Sequence, residues 1–179
     1  MNYAIIVAGG KGKRMRKRIN KLFLLLNKEP IIWHTLNTFQ NCKSINKIIL
    51  VARPEDRNKF QSIIKSNKFN KIIKVVDGGL ERQDSVYNGI KAADKASNDD
   101  IILIHNAVNP FVDEATINSC INATKKYGAA VVGFPAKDTI KVVEDGFVRQ
   151  TIDRKLLWQV QTPQAIKYFL AKRAFERAY

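Results

Sequence analysis

Residues 3–21 read YAIIVAGGKGKRMRKRINK, and the fold is decided by how this stretch is read. Residues 4–7 are apolar and partly β-branched, as a strand buried on both faces requires. Gly9, Gly10 and Gly12 follow at once. Lacking Cβ atoms, they let backbone N–H groups turn inward and approach a ligand closely. Lys11, Lys13, Arg14, Arg16, Lys17, Arg18 and Lys21 come next, with no acid among them. A strand that empties into a glycine turn ringed with cations is the pattern of a phosphate cradle. A plain turn followed by a solvated charged face is written with the same letters. Neither common nucleotide motif is present: Met15 stands where G-x-G-x-x-G needs glycine, and no Gly-Lys-Ser/Thr opens a helix.

Outward from this stretch, apolar runs alternate with helical patterns. Further strands are expected at residues 45–52, 71–77, 101–105 and 129–134. Helices are expected at about 30–40, opened by Pro30, then from Pro54, over 82–95 and over 113–127. Strands that are continuously apolar and separated by helices make a parallel sheet covered on both faces, a three-layer doubly wound α/β fold. In such sheets ligands bind beyond the carboxyl ends of the strands. The glycine loop, Gly78-Gly79 and residues 106–110 all fall at those ends, so one crevice is expected where they converge. After Pro135 the pattern changes to two short strands around Asp145-Gly146, a hairpin that either packs on the domain or pairs with another subunit. Residues 161–164 read as polar loop, and residues 165–179 as a last amphipathic helix with no strand after it.

The 179 residues suit a single domain with a substantial core. No apolar run reaches the length of a membrane span, and the few apolar residues before the glycines do not make a signal peptide. Cys42 and Cys120 stand in unrelated contexts, as free thiols of a reducing cytoplasm do, and no His/Cys cluster has zinc spacing. The net charge of +15 attracts polyanions, yet only residues 11–21 form a dense cluster and no RNA- or DNA-binding signature accompanies it. A small, highly charged substrate fits that cluster at least as well as a nucleic acid.

Six blocks then come in the order and spacing of one enzyme group. They are AGGKGKRM (residues 8–15), GGLERQDSV (78–86), IHNAVNP (104–110), KDTIK (137–141), IDRKLLW (152–158) and QTPQ (161–164). Together they resemble the 2-C-methyl-D-erythritol 4-phosphate cytidylyltransferases of the non-mevalonate isoprenoid pathway, over essentially the whole chain. Ribitol-5-phosphate cytidylyltransferases share several of the blocks and are the alternative. The resemblance implies a Rossmann-like nucleotidyltransferase that moves a cytidylyl group from CTP, with Mg²⁺, to a sugar-alcohol phosphate and releases pyrophosphate.

It further implies roles for single residues. Arg14 and Lys21 match the cations that hold the triphosphate and stabilise charge in the transition state. Ala8, Gly9, Gly10, Gly12, Gly79, Ser85, Asn106 and Ala107 match the nucleotide site, with Gly79 and Ser85 at the cytosine. On spacing alone, Ser85 is equally a polar residue on a first helical turn. Thr139, Asn109, Arg154 and Thr162 match the acceptor side, where the Arg154 fork would orient the attacking phosphate. An ion pair with Asp153 is the plainer reading of Arg154. Residues 138–153 match an arm that embraces a second subunit, so a homodimer is expected.

Three departures from the family pattern stand out. Asn106 occupies the position of an aspartate that ligates Mg²⁺; a neutral amide makes it a weak metal ligand. Asn109 replaces an arginine of the acceptor pocket. The family also continues past this last helix with more sheet and helix, absent here, so an unpaired apolar edge is expected. A nucleotide-binding protein with impaired catalysis is therefore the second alternative.

Overall fold

In chain order the elements are β1 (Asn2–Val7), β2 (Leu25–Leu26), β3 (Glu29–Pro30), α1 (Ile31–Asn41), β4 (Lys47–Ala52), α2 (Arg57–Ser66), β5 (Ile72–Asp77), α3 (Arg82–Ala92), β6 (Ile101–Asn106), α4 (Glu114–Tyr127), β7 (Ala129–Pro135), β8 (Ile140–Glu144), β9 (Phe147–Ile152), β10 (Trp158–Lys167) and α5 (Tyr168–Ala178). The structure, a computed structural model, describes residues 1–10 and 20–178. Short 3-10 turns at Lys21–Phe23, Pro54–Asp56 and Arg154–Leu156 complete it.

A six-stranded sheet in the order β5-β4-β1-β6-β10-β7 organises these elements. β1 pairs in parallel with β4 on one side and with β6 on the other. Successive side chains of a strand point to opposite faces, and β1 shows the result. Ala4 and Ile6 join one core with α1, α2 and α4, while Tyr3 and Ile5 join another with α3 and α5. All four are fully buried, which is why residues 4–7 carry no polar alternation. α3 lies close on the sheet because it presents Gly89 there: a Cβ at that position would stand 2.5 Å from Ile5 Cγ2. The expected three-layer doubly wound sheet is thus present, with all strands but one running the same way.

The exception is β10, which is antiparallel to both of its neighbours, β6 and β7. The reading of residues 161–164 as loop is overturned, and the last helix starts at Tyr168 rather than at 165. Pro163 lacks an N–H and ordinarily argues against a central strand. Here the ladder to β7 shifts register between Val160 and Gln164, so the proline falls inside an irregularity. Below it, Gln164, Ala165, Ile166 and Lys167 pair with β6. The small β2–β3 hairpin was also not foreseen.

β8 and β9 form a separate antiparallel hairpin, apart from the main sheet. Nearly every residue of it is exposed, and Phe147 is 71% so. It projects; it does not pack on the domain. Beside its base, β7 forms an edge of the described sheet, with Val131 and Phe134 exposed. At the opposite end of the strands, the N-terminal amine pairs with the buried Asp100 carboxylate and fixes β1 beside β6.

Candidate active site

The loops beyond β1, β5 and β6 meet, as parallel strands with adjacent carboxyl ends require. Ladder-extending bonds lock them together. Ala8 N–H donates to Val51 O at 2.7 Å, Gly78 N–H to Ala52 O at 2.8 Å, and Ala107 N–H to Val7 O at 3.0 Å. Two glycines permit the close approach that follows. A Cβ on Gly9 would stand 3.2 Å from Ser85 Oγ, and a Cβ on Gly78 would stand 3.0 Å from the same atom. Ser85 is therefore the point where the glycine loop, the second glycine turn and α3 touch. Gly10 is exposed at the rim of this surface.

Ser85 is 3% exposed and its hydroxyl is fully used. It accepts from Gly79 N–H and donates to Glu81 O, each at 3.1 Å. Ser85 is a first-turn serine of α3 that also sets the Gly79 backbone. The start of α3 is fixed further by Glu81 N–H donating to Asp84 Oδ2.

Lys21 sits half-buried in a 3-10 turn immediately after Asn20. The Asn20 amide donates to Asp56 Oδ2 at 2.8 Å. Asp56 is itself buried beyond the end of β4 and paired with Arg53, whose Nη2 lies 2.6 Å away. Lys21 is thus anchored at the carboxyl edge of the sheet through neighbours rather than through its own side chain. Arg14 and Gly12, and the rest of the basic run up to Arg18, lie outside the described residues.

The loop after β6 holds Asn106, Ala107 and Asn109. Asn109 N–H donates to Asn106 O at 3.0 Å and closes a tight turn. His105 Nε2 donates to Asn109 O at 2.9 Å and holds the turn from beneath. His105 is fully buried against Phe39, and its Nδ1 has no partner among the described residues. Burial pushes its imidazole down to about 4, against the weaker upward pull of the Asn109 bond. The ring is neutral at pH 7, which assigns this histidine to loop positioning. Thr162 joins the loop from β10: its buried Oγ1 accepts from Asn106 N–H at 3.4 Å.

The Asn106 side chain shows a contact that the sequence did not suggest. Its Oδ1 accepts from both Nε and Nη2 of Arg82, each at 3.3 Å. This bears on Asn106 as a weak metal ligand, because its one acceptor oxygen already faces a cation. Among the described residues, no group of three or more His, Cys, Asp or Glu side chains is placed to hold a metal ion. The donor set does not fit a magnesium held by side chains.

Arg154 and Thr139 belong to another neighbourhood, at the base of the β8–β9 hairpin. Arg154 Nη1 donates to Lys137 O at 3.2 Å, and no ion pair to Asp153 is formed. Asp153 instead caps its own 3-10 turn through Lys155 N–H. Both residues follow the carboxyl end of β7, which shares its edge of the sheet with β1 and β6. Thr162 and Asn109 meet in the loop after β6, whereas Arg154 and Thr139 lie at the hairpin base. The sequence reading gave no role to Arg82 or His105. Arg82 stood inside a quoted block, but nothing in spacing pairs it with Asn106.

Comparison with known proteins gives the same assignment. The family model described as "IspD: 2-C-methyl-D-erythritol 4-phosphate cytidylyltransferase" matches residues 2–179. The 2-C-methyl-D-erythritol 4-phosphate cytidylyltransferase of Clostridioides difficile (strain 630) is 47% identical over 180 residues, covering 100% of this chain and 75% of that protein. Its namesake from Geobacillus kaustophilus (strain HTA426) is 44% identical over 179 residues, covering 99% of this chain and 77% of the relative. Among solved structures, 4-diphosphocytidyl-2C-methyl-D-erythritol synthase from Anaerococcus prevotii superposes with a TM-score of 0.86 at 31% identity, covering 99% of this chain and 75% of that one.

Proposed function

Because the chain belongs to the 2-C-methyl-D-erythritol 4-phosphate cytidylyltransferase family, we propose that it transfers a cytidylyl group from CTP to 2-C-methyl-D-erythritol 4-phosphate. The observation that carries this is the convergence of Gly9, Gly78, Gly79 and Ser85 on one point beside Asn106, in a chain matched by the family over residues 2–179. A phosphate oxygen of the acceptor attacks the α-phosphorus of CTP in line. A new P–O bond forms, the bond to the β-phosphate oxygen breaks, and pyrophosphate leaves. Little covalent chemistry falls to the protein, whose part is positioning and charge neutralisation.

The nucleotide side supplies a backbone floor. Ala8, Gly9, Gly10, Gly12, Gly79 and Ala107 line the CTP, and Ser85 keeps Gly79 where its backbone can meet the base edge. Lys21, anchored near Asp56, and Arg14 neutralise the triphosphate. Arg154 orients the attacking phosphate, with Thr139, Thr162 and Asn109 around the acceptor. Magnesium belongs to the nucleotide substrate, as the ion carried by the CTP phosphates.

Residues 1–179 form one nucleotidyltransferase domain that works as a homodimer through residues 138–153. The exposed apolar side chains Val143, Phe147 and Val148 on the projecting hairpin support that reading. A cytoplasmic location is supported by the two free, buried cysteines, and no described helix is long and apolar enough to cross a membrane. The test is pyrophosphate release from CTP with Mg²⁺ and 2-C-methyl-D-erythritol 4-phosphate, beside a parallel reaction with ribitol 5-phosphate. Turnover with the first acceptor at the higher kcat/KM is expected. Turnover with ribitol 5-phosphate alone moves the acceptor assignment, and none with either refutes the reaction.

A further inference from the structure

We infer that Arg82, tethered to Asn106, supplies the positive charge that a divalent cation held by the protein would supply here, and that it contacts the CTP phosphates. The inference rests on the cytidylyl-transfer reading above and adds to it a residue and a source of charge.

The position of Arg82 is the first point. Val7 and Asn106 are neighbours in the β1–β6 ladder, and Ala8 to Gly10 leave the sheet from there. Ser85, three residues after Arg82 on α3, meets Gly9. The Arg82 side chain runs from α3 to Oδ1 of Asn106, the residue that pairs with Val7 at the end of β1. A phosphate held by the backbone of Ala8 to Gly10, which follow Val7, would come near that end of β1.

Charge is the second point. The partner oxygen belongs to a neutral amide, so the contact orients the guanidinium without cancelling its charge. No described carboxylate forms an ion pair with Arg82, whereas Arg53, Arg57 and Arg149 all have one. The adjacent Glu81 points elsewhere: its side chain accepts the Asp84 N–H in the helix cap. Of the five guanidinium N–H groups, the bonds to Asn106 engage two, and among the described residues no other acceptor is bonded to Arg82.

The metal is the third point. A divalent ion at Asn106 Oδ1 would stand against a guanidinium 3.3 Å from the same atom. Mg²⁺ prefers carboxylates and near-ideal octahedral geometry, and neither is offered here. An aspartate at this position would reverse the balance by neutralising Arg82 and attracting the ion. The asparagine therefore fits an arginine-charged site and disfavours a metal-charged one.

The experiment measures binding rather than turnover. CTP and cytidine are titrated into the protein by calorimetry, with EDTA or with Mg²⁺, and Mn²⁺ binding is followed by electron paramagnetic resonance. The wild type is expected to bind CTP in EDTA, and no Mn²⁺ in the absence of nucleotide. Arg82→Gln should weaken metal-free CTP binding roughly tenfold to a hundredfold while leaving cytidine within about twofold. Arg82→Lys should restore part of the loss, because a point charge remains. Asn106→Asp should lower metal-free CTP affinity and create Mn²⁺ binding. The inference is overturned if wild-type protein alone binds Mn²⁺ and Asn106→Ala abolishes that binding. It is equally overturned if Arg82→Gln leaves CTP binding unchanged or weakens CTP and cytidine alike. Wild type that binds no CTP under any condition overturns the cytidylyl-transfer reading as well.

Discussion

Ser85, beside the glycine turns, and Arg154, at the hairpin base, are held in different ways. Ser85 is 3% exposed, bonded to backbone on both sides, and pressed between two glycines from different strands. Arg154 is exposed and held by one bond to a carbonyl at the foot of a projecting hairpin. The nucleotide side is built by the sheet itself: parallel strands with carboxyl ends in one row place their loops together without further contacts. The proposed acceptor side, by contrast, hangs on a two-stranded ribbon, which is at best marginally stable alone in water. The comparison teaches that the surroundings of Ser85 are fixed by the sheet, whereas those of Arg154 rest on an exposed hairpin.

Predictions that break or sharpen this contrast can be ordered by size. Arg154→Ala should lower kcat/KM for the acceptor roughly hundredfold, the usual cost of one lost charge-stabilising donor. Its CTP dissociation constant should stay within about twofold; a parallel loss of CTP binding would merge the two halves. Next comes the loop beneath Asn109. His105 titrates ordinarily at 6.5 when unfolded and at about 4 when folded. The unfolded chain therefore takes up a proton first as pH falls, and stability is lost between those values. Denaturant unfolding at pH 7 and pH 5 should differ by about 2 kcal/mol from this group. His105→Gln should remove that part of the difference.

The hairpin comes third. Phe147→Asp should weaken self-association about tenfold or more in sedimentation equilibrium while CTP binding persists. An unchanged oligomeric state would remove the proposed role of the arm. The smallest effect is expected from Thr162→Val, which deletes the acceptor for Asn106 N–H. It should lower stability by about 1 kcal/mol in denaturant unfolding and affect the acceptor more than CTP.

Much of this was legible in the residues. Unbroken apolar runs such as residues 101–104 announced strands covered on both faces, and Gly78-Gly79 after such a run announced a turn at the ligand edge. β10 was not legible, because WQVQTPQAIK contains a proline and little apolar periodicity. It is a strand because β6 and β7 leave a gap between them and offer it a ladder on each side. The partner of Asn106 was not legible for a similar reason. The letter gave the chemistry of an amide, but only the approach of α3 to β6 decided that Arg82 would be its partner.

The sequence by itself determined the alternation of strands and helices, the glycine turns at the strand ends and the family, because periodicity and local backbone freedom are properties of neighbouring residues. Tertiary structure alone decided the antiparallel strand inside the sheet, the burial that neutralises His105 and the Arg82–Asn106 contact. Each of these joins residues far apart in the chain, and their meeting depends on how the layers pack.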